Sequence, residues 1–272
     1  MTATLDALLE SGRPFVLPGA YDALSAKIAA HAGAPAIYMT GFGVVGASFG
    51  VPDIGLIGPE AMTERVGAIA AAIAPVPLVA DGDNGHGDVA GLVRAYEAAG
   101  AAAIQIEDQV IPKRCGHMDG KEVVPFDEAV TRIRDAVAAR GAMKIVARTD
   151  AGAVHGFDEA LRRAAAFAEA GADVLFVEAA RSEAELARIA ETFKGIPTLA
   201  NMVEDGKTPW LAPETLFAMG FRIVLKPISA LLAVTRTLER VYAGEAAERA
   251  TFQHYNGAVV GPMSVSQARD IA

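Results

Sequence analysis

The chain is poor in cysteine, with a single one, Cys115, in 272 residues. A lone thiol excludes an internal disulfide framework and suits a reducing compartment, so a cytoplasmic setting is expected. Aromatic residues are scarce at 6%, with one Trp. Small side chains must therefore fill much of any core. Basic charge is short as well: 24 Lys and Arg stand against 33 Asp and Glu, a net charge of −9. No basic stripe or tail occurs, which excludes nucleic acid as an expected partner. An acidic chain that binds an anion must do so with local cations or a metal. Long hydrophobic runs are missing too. The longest uncharged, mostly apolar stretch, residues 66–80, is broken by Pro75 and Pro77 and is too short to span a bilayer. The opening residues, MTATLDALLESG, carry acids and do not read as a secretory signal. No linker rich in Pro, Gly and Ser divides the chain, which reads as one domain over residues 1–272.

What is present is alternation. Short β-rich runs at 15–17, 36–40, 77–80, 103–107, 144–148, 174–178, 198–201 and 222–225 alternate with Ala-rich helical runs. The helical runs include 20–32, 60–74, 88–99, 126–139, 157–170 and 183–193. Three of them end at Gly33, Gly100 and Gly171, each followed by a strand. Glycine past the last turn is the expected helix stop. Strands separated by helices must pair in parallel, because a parallel neighbour needs a crossover connection. Eight such units match the usual size of a (β/α)8 TIM barrel. A doubly wound open sheet would show fewer strands. Beyond about residue 236, helix-forming content at 237–249 suggests an eighth helix and a C-terminal arm, 236–272, that packs on a partner subunit.

In such a barrel the site lies at the C-terminal strand ends. Here those ends carry Tyr38 and Thr40, then Asp81 and Asp83, Glu107, Arg148, Glu178 and Asn201. Asp81 and Asp83 are two apart and share one face of an extended chain. Paired carboxylates attract a hard cation, and Mg2+ needs only one or two of them with water and substrate oxygens. Loop capping is the plainer reading of the pair. Arg148 ends a buried strand and must meet a carboxylate, from the protein or from a ligand. Cys115 stands in Lys113-Arg114-Cys115-Gly116-His117, between basic residues and beside glycine. A thiol near cations loses its proton more readily and can do chemistry.

These segments resemble the isocitrate lyase and phosphoenolpyruvate mutase superfamily over nearly the whole chain. KRCGH resembles its lyase signature. TGFGVVGASFGVPD, VADGDNGHGD, IQIEDQ, VARTDA and LANMVEDGKTP are similar to its other landmarks. The resemblance implies a barrel whose last helix is exchanged between subunits of a homodimer or homotetramer. It implies Mg2+, with Mn2+ as an alternative ion, held at Asp81, Asp83, Asp53 and Glu107. Thr40, Gly41 and Phe42 match a loop whose amides bind substrate carboxylate. Lys113, Gly116, Glu178 and Asn201 match substrate contacts. Cys115 matches the general acid, Arg148 the grip on the α-hydroxy or α-keto acid end, and His117 a loop residue near the reacting atoms. Tyr38 assisted by Arg148, or a metal-held water, is the candidate base.

The implied activity is carbon–carbon cleavage of a 2-hydroxy dicarboxylate to an α-keto acid and a carboxylic acid. Leu232 stands where methylisocitrate lyases usually have an arginine for an extra carboxylate. HMDGKEVVP replaces their Arg-Pro continuation and is more similar to alkylmalate lyases or oxaloacetate hydrolases. A dicarboxylate is favoured over a tricarboxylate. Oxaloacetate hydrolysis, P–C bond chemistry on phosphonopyruvate or phosphoenolpyruvate, and a non-catalytic α-keto acid binding protein are the alternatives. The intact set Asp81, Asp83, Glu107, Cys115, Arg148 and Glu178 argues against the last.

Overall fold

A computed structural model describes residues 4–111, 113, 120–245 and 254. The eight strands are β1 (Phe15–Ala20), β2 (Ile37–Met39), β3 (Leu78–Asp81), β4 (Ala103–Glu107), β5 (Lys144–Thr149), β6 (Val174–Val177), β7 (Thr198–Asn201) and β8 (Ile223–Lys226). Each pairs in parallel with the next, and β8 returns to β1, so the barrel closes as expected. All eight predicted strands are present, with ends shifted by a few residues.

Strand parity explains both the core and the site. Alternate residues face the barrel axis. Phe15, Leu17, Tyr38, Val79, Ala103, Val146, Phe176, Leu199 and Ile223 form the apolar interior. One step further toward the C-terminal rim the same parity reaches Asp81, Gln105, Glu107, Arg148, Glu178 and Asn201. The opposite parity buries Ile37, Met39, Leu78, Ile104, Ile106, Ile145 and Leu175 under the helices. Helix α1 (Leu5–Glu10) packs Leu5, Leu8 and Leu9 against the apolar interior, so it covers the end away from the site.

The surrounding helices are α2 (Ala23–His31), α3 (Gly41–Phe49), α4 (Pro59–Ile73), α5 (Val89–Ala98), α6 (Phe126–Ala139), α7 (Phe157–Glu169), α8 (Glu183–Thr192), α9 (Pro213–Met219) and α10 (Ser229–Tyr242). Gly33, Gly100 and Gly171 all have positive φ, as the predicted helix stops require. Gly19 has no tolerable substitute: a Cβ there would stand 1.9 Å from the Pro227 carbonyl oxygen, where β1 meets β8.

Two differences from the sequence reading stand out. Gly41 and Phe42, expected with Thr40 in a binding loop, instead open α3, which is nucleated by Thr40, whose Oγ1 accepts from the Gly43 amide at 3.3 Å. Its three glycines lower helix propensity, and burial on the barrel overrides them. The terminal helix begins at Ser229 rather than 237, and Gly244 at φ 78 follows its end. It buries none of its own residues and leaves Leu232, Val234, Leu238 and Tyr242 exposed. Most of the expected arm lies outside the described residues.

Candidate active site

Arg148 sits at the centre of the rim. Register places it beside Glu107 on β4. Its Nε donates to Asp150 Oδ2 at 2.8 Å and lies 3.3 Å from Glu107 Oε2. Its Nη2 donates to Asp150 Oδ1 at 3.0 Å and lies 3.3 Å from Glu178 Oε2. The Phe176 ring lies under the guanidinium, 5.2 Å from its centroid. The paired-carboxylate expectation for Arg148 is thus met by the protein itself. Asn201 Nδ2 donates to Glu178 Oε2 at 3.1 Å. Asp150, two residues beyond Arg148 in VARTDA, was not singled out from the sequence, and two other participants were missed. Lys121 Nζ is 2.7 Å from Asp150 Oδ1. Gln105, fully buried, joins Tyr38 to Asp81: Tyr38 Oη donates to Gln105 Oε1 at 2.9 Å, and Gln105 Nε2 donates to Asp81 Oδ1 at 3.2 Å. Inward strand parity was the signal that would have found Gln105.

A second centre gathers acids. Asp81 and Asp83 are both buried, and the Asp83 amide donates to Asp81 Oδ1 at 3.2 Å. Gly82 between them lies so close to β4 that a Cβ would meet the Gln105 carbonyl oxygen at 2.8 Å. The Gly41 amide, expected on substrate, donates to Asp81 Oδ2 at 3.3 Å. Lys113 Nζ is 2.8 Å from Asp53 and also contacts Asp83 Oδ1. His86 Nε2 lies 3.4 Å from Asp83 Oδ2. Lys113 therefore reaches the acids rather than open solvent, and Asp53 is tied to it. Cys115, Gly116 and His117 lie outside the described residues.

Electrostatics follow from burial against neighbours. Desolvation and the adjacent Asp83 push Asp81 up to about 6. Desolvation would raise Asp83, but Lys113 and His86 hold it well below the carboxylate range. Desolvation raises Glu107 well above its ordinary value, and the Arg148 guanidinium opposes that rise. Burial and the Asp81 charge hold the Tyr38 hydroxyl far above its usual range. That favours Tyr38 as a hydrogen-bond donor.

Six carboxyl groups, Asp53, Asp81, Asp83, Glu107, Asp150 and Glu178, converge on three described cations, Lys113, Lys121 and Arg148. The excess acid suits a hard divalent cation. Glu107 Oε1 and Asn201 Oδ1 are buried without a partner among the described residues. Among those residues no three Asp, Glu, His or Cys side chains form a ready metal cluster. The oxygen set suits a divalent cation that Asp81 and Asp83 would hold, with water and substrate oxygens supplying the rest of its shell. No helix among the described residues is long and apolar enough to cross a membrane.

Asp150 makes a pH prediction. Burial alone would raise its carboxyl, but Arg148 and Lys121 outweigh burial and hold it well below the usual range. A depressed folded-state pKa contributes stability that is present above the unfolded value, about 3.9, and lost as pH falls below it. Wild-type Tm is expected to fall as pH is lowered from 4 to 2. Asp150→Asn starts lower and falls less over that interval. Parallel Tm profiles would refute the ion-pair reading.

Comparison with known proteins agrees with the geometry. The sequence profile of the phosphoenolpyruvate phosphomutase family matches residues 5–244. A 2,3-dimethylmalate lyase of Eubacterium barkeri is 45% identical over 241 residues, 87% of this chain and 83% of the relative. A 2-methylisocitrate lyase of Bacillus subtilis is 41% identical, over 83% of this chain and 75% of the relative. Among solved structures, oxaloacetate acetylhydrolase bound to the inhibitor 3,3-difluorooxalacetate superposes with a TM-score of 0.86 at 33% identity, covering 99% of this chain and 92% of that one.

Proposed function

The chain belongs to the isocitrate lyase/phosphoenolpyruvate mutase superfamily and is an enzyme of its lyase type, and we propose that it cleaves a 2-alkylmalate with Mg2+. The carrying observation is the 45% identity to a 2,3-dimethylmalate lyase over 87% of the chain. The strand-end site supports it with a carboxylate pair and a buried guanidinium at one rim.

Mg2+ held by Asp81 and Asp83 would supply positive charge to the 2-hydroxyl and its neighbouring carboxylate. Thr40, Gly41 and Phe42 open α3, and a helix N-terminus favours a carboxylate. Arg148, fixed by Asp150 and Glu178, faces the C2 oxygen as it becomes a carbonyl. Tyr38, held by Gln105, stands at the same end. Glu178 and Asn201 form one wall, while Lys113 and His117 lend charge near the leaving fragment. The hydroxyl passes its proton to a water molecule acting as base, Tyr38 being committed as a donor to Gln105, and the C2–C3 bond breaks. The bonding pair passes to C3 as the enolate of a carboxylic acid, and Cys115 delivers the proton to that carbon. A 2-methylmalate would thereby give pyruvate and acetate. The working form is read as a homodimer or homotetramer, completed by the exposed face of α10.

Likeness to oxaloacetate acetylhydrolase gives a second reading, hydrolysis of oxaloacetate to oxalate and acetate. One assay separates them: malate, 2-alkylmalates, isocitrate, methylisocitrate, oxaloacetate and phosphonopyruvate, each with Mg2+ and with excess chelator. Keto-acid release from 2-alkylmalates, abolished by chelator, is the expected result. Oxalate from oxaloacetate alone would replace the lyase reading with the hydrolase one.

A further inference from the structure

The segment bearing Cys115 has a firm root. Gln109 and Val123 form an antiparallel bridge. The Val110 amide donates to the Glu122 carbonyl at 3.1 Å, and the Val124 amide to the Asp108 carbonyl at 2.9 Å. Arg132 of α6 donates to the carbonyls of Glu107 and Gln109 at 2.8 and 2.9 Å. Lys121 leaves this root and turns inward, its side chain only 1% exposed, to reach Asp150, which is 0% exposed.

Asp150 is itself fixed. Its amide donates to Asp108 Oδ1 at 2.8 Å, and Asp108 is gripped by Thr149 Oγ1 at 2.7 Å and Arg163 at 3.1 Å. The Lys121 ammonium and Arg148 Nη2 share one acceptor, Asp150 Oδ1. Lys121 thus holds the same carboxylate oxygen that anchors Arg148, whose guanidinium also lies beside Glu107 and Glu178.

We propose that Lys121 is a positioning residue, which sets the guanidinium of Arg148 through Asp150 and links the root of the cysteine segment to the substrate's keto-acid end. This rests on the site reading above. Without the ammonium, Asp150 Oδ1 loses its second charged partner, the carboxylate turns, and Arg148 turns with it away from ligand.

The test is calorimetric titration of oxalate in saturating Mg2+ into wild type, Lys121→Gln and Lys121→Arg. Glutamine still donates to Asp150, which preserves the fold, but carries no charge. Wild type is expected to bind oxalate, Lys121→Gln about tenfold more weakly, and Lys121→Arg within about threefold of wild type. A purely structural role would lower Tm and the bound fraction while leaving the affinity of the folded protein unchanged. Unchanged oxalate affinity in Lys121→Gln, or equal weakening in Lys121→Arg, overturns the positioning role alone. A wild type that fails to bind oxalate overturns the site reading and the proposal with it.

Discussion

Arg148→Met is expected to lower Tm by about 6–20 °C and to reduce turnover of the folded fraction at least a hundredfold. The guanidinium meets Glu107, Asp150 and Glu178, all buried, and lies over Phe176. Removing one partner of a buried ion pair costs about 3–5 kcal/mol, because the charge left behind has no solvent. In a chain of this size each kcal/mol is worth roughly 2–4 °C. Losing a fixed charge that stabilises the C2 oxygen as its proton leaves typically costs about 100- to 1,000-fold in rate. Arg148→Lys keeps the charge but not the planar fork that serves two carboxylates at once. It is expected to recover most of the Tm and little of the turnover. Differential scanning calorimetry with keto-acid release, normalised to folded protein, reads both effects. A Met variant with wild-type Tm would mean that these carboxyl groups are already neutral, and the ion-pair description of the rim would fall.

The barrel was legible because its signal repeats. Each parallel strand needs a helix to return, several helices stop at glycine, and both leave local marks in the chain. Strand-end polarity was legible for a related reason. A buried strand with no chemistry to perform has no cause to end in Arg148 or Glu178. Less was readable where tertiary contact decides. Gly41, Gly43 and Gly46 argue against a helix in isolation, yet the Thr40 cap and burial on the barrel make one. Asp53 and Lys113 are sixty residues apart, and no spacing rule joins them. Lys121 reads as a surface lysine in a polar turn until β5 brings Asp150 beneath it. Gln105 was hidden in an otherwise apolar strand. Only the inward parity that it shares with Glu107 would have marked it.

Cys115→Ser is expected to fold as wild type, bind oxalate with Mg2+ at near wild-type affinity, and lose about 100- to 10,000-fold in turnover, the usual contribution of a positioned acid. Cys115 follows Lys113 by two residues, and Lys113 contacts Asp53 and Asp83 at the candidate cation site. Lys121 contacts Asp150 beside Arg148. The two ends of the segment therefore engage the two charge centres that a 2-hydroxy dicarboxylate would bridge. An enolate formed by C2–C3 cleavage needs a proton at C3, and a thiol near cations releases one at neutral pH far more readily than a serine hydroxyl does. Binding depends on the rim and the cation site, so it should survive the substitution, whereas proton delivery should not. Single-turnover release of keto acid, measured beside oxalate titration, separates the two. If the Ser variant keeps near wild-type turnover, the proton comes from another donor and KRCGH serves only to hold the ligand. If it loses oxalate binding as severely as turnover, the thiol shapes the site and is not its acid.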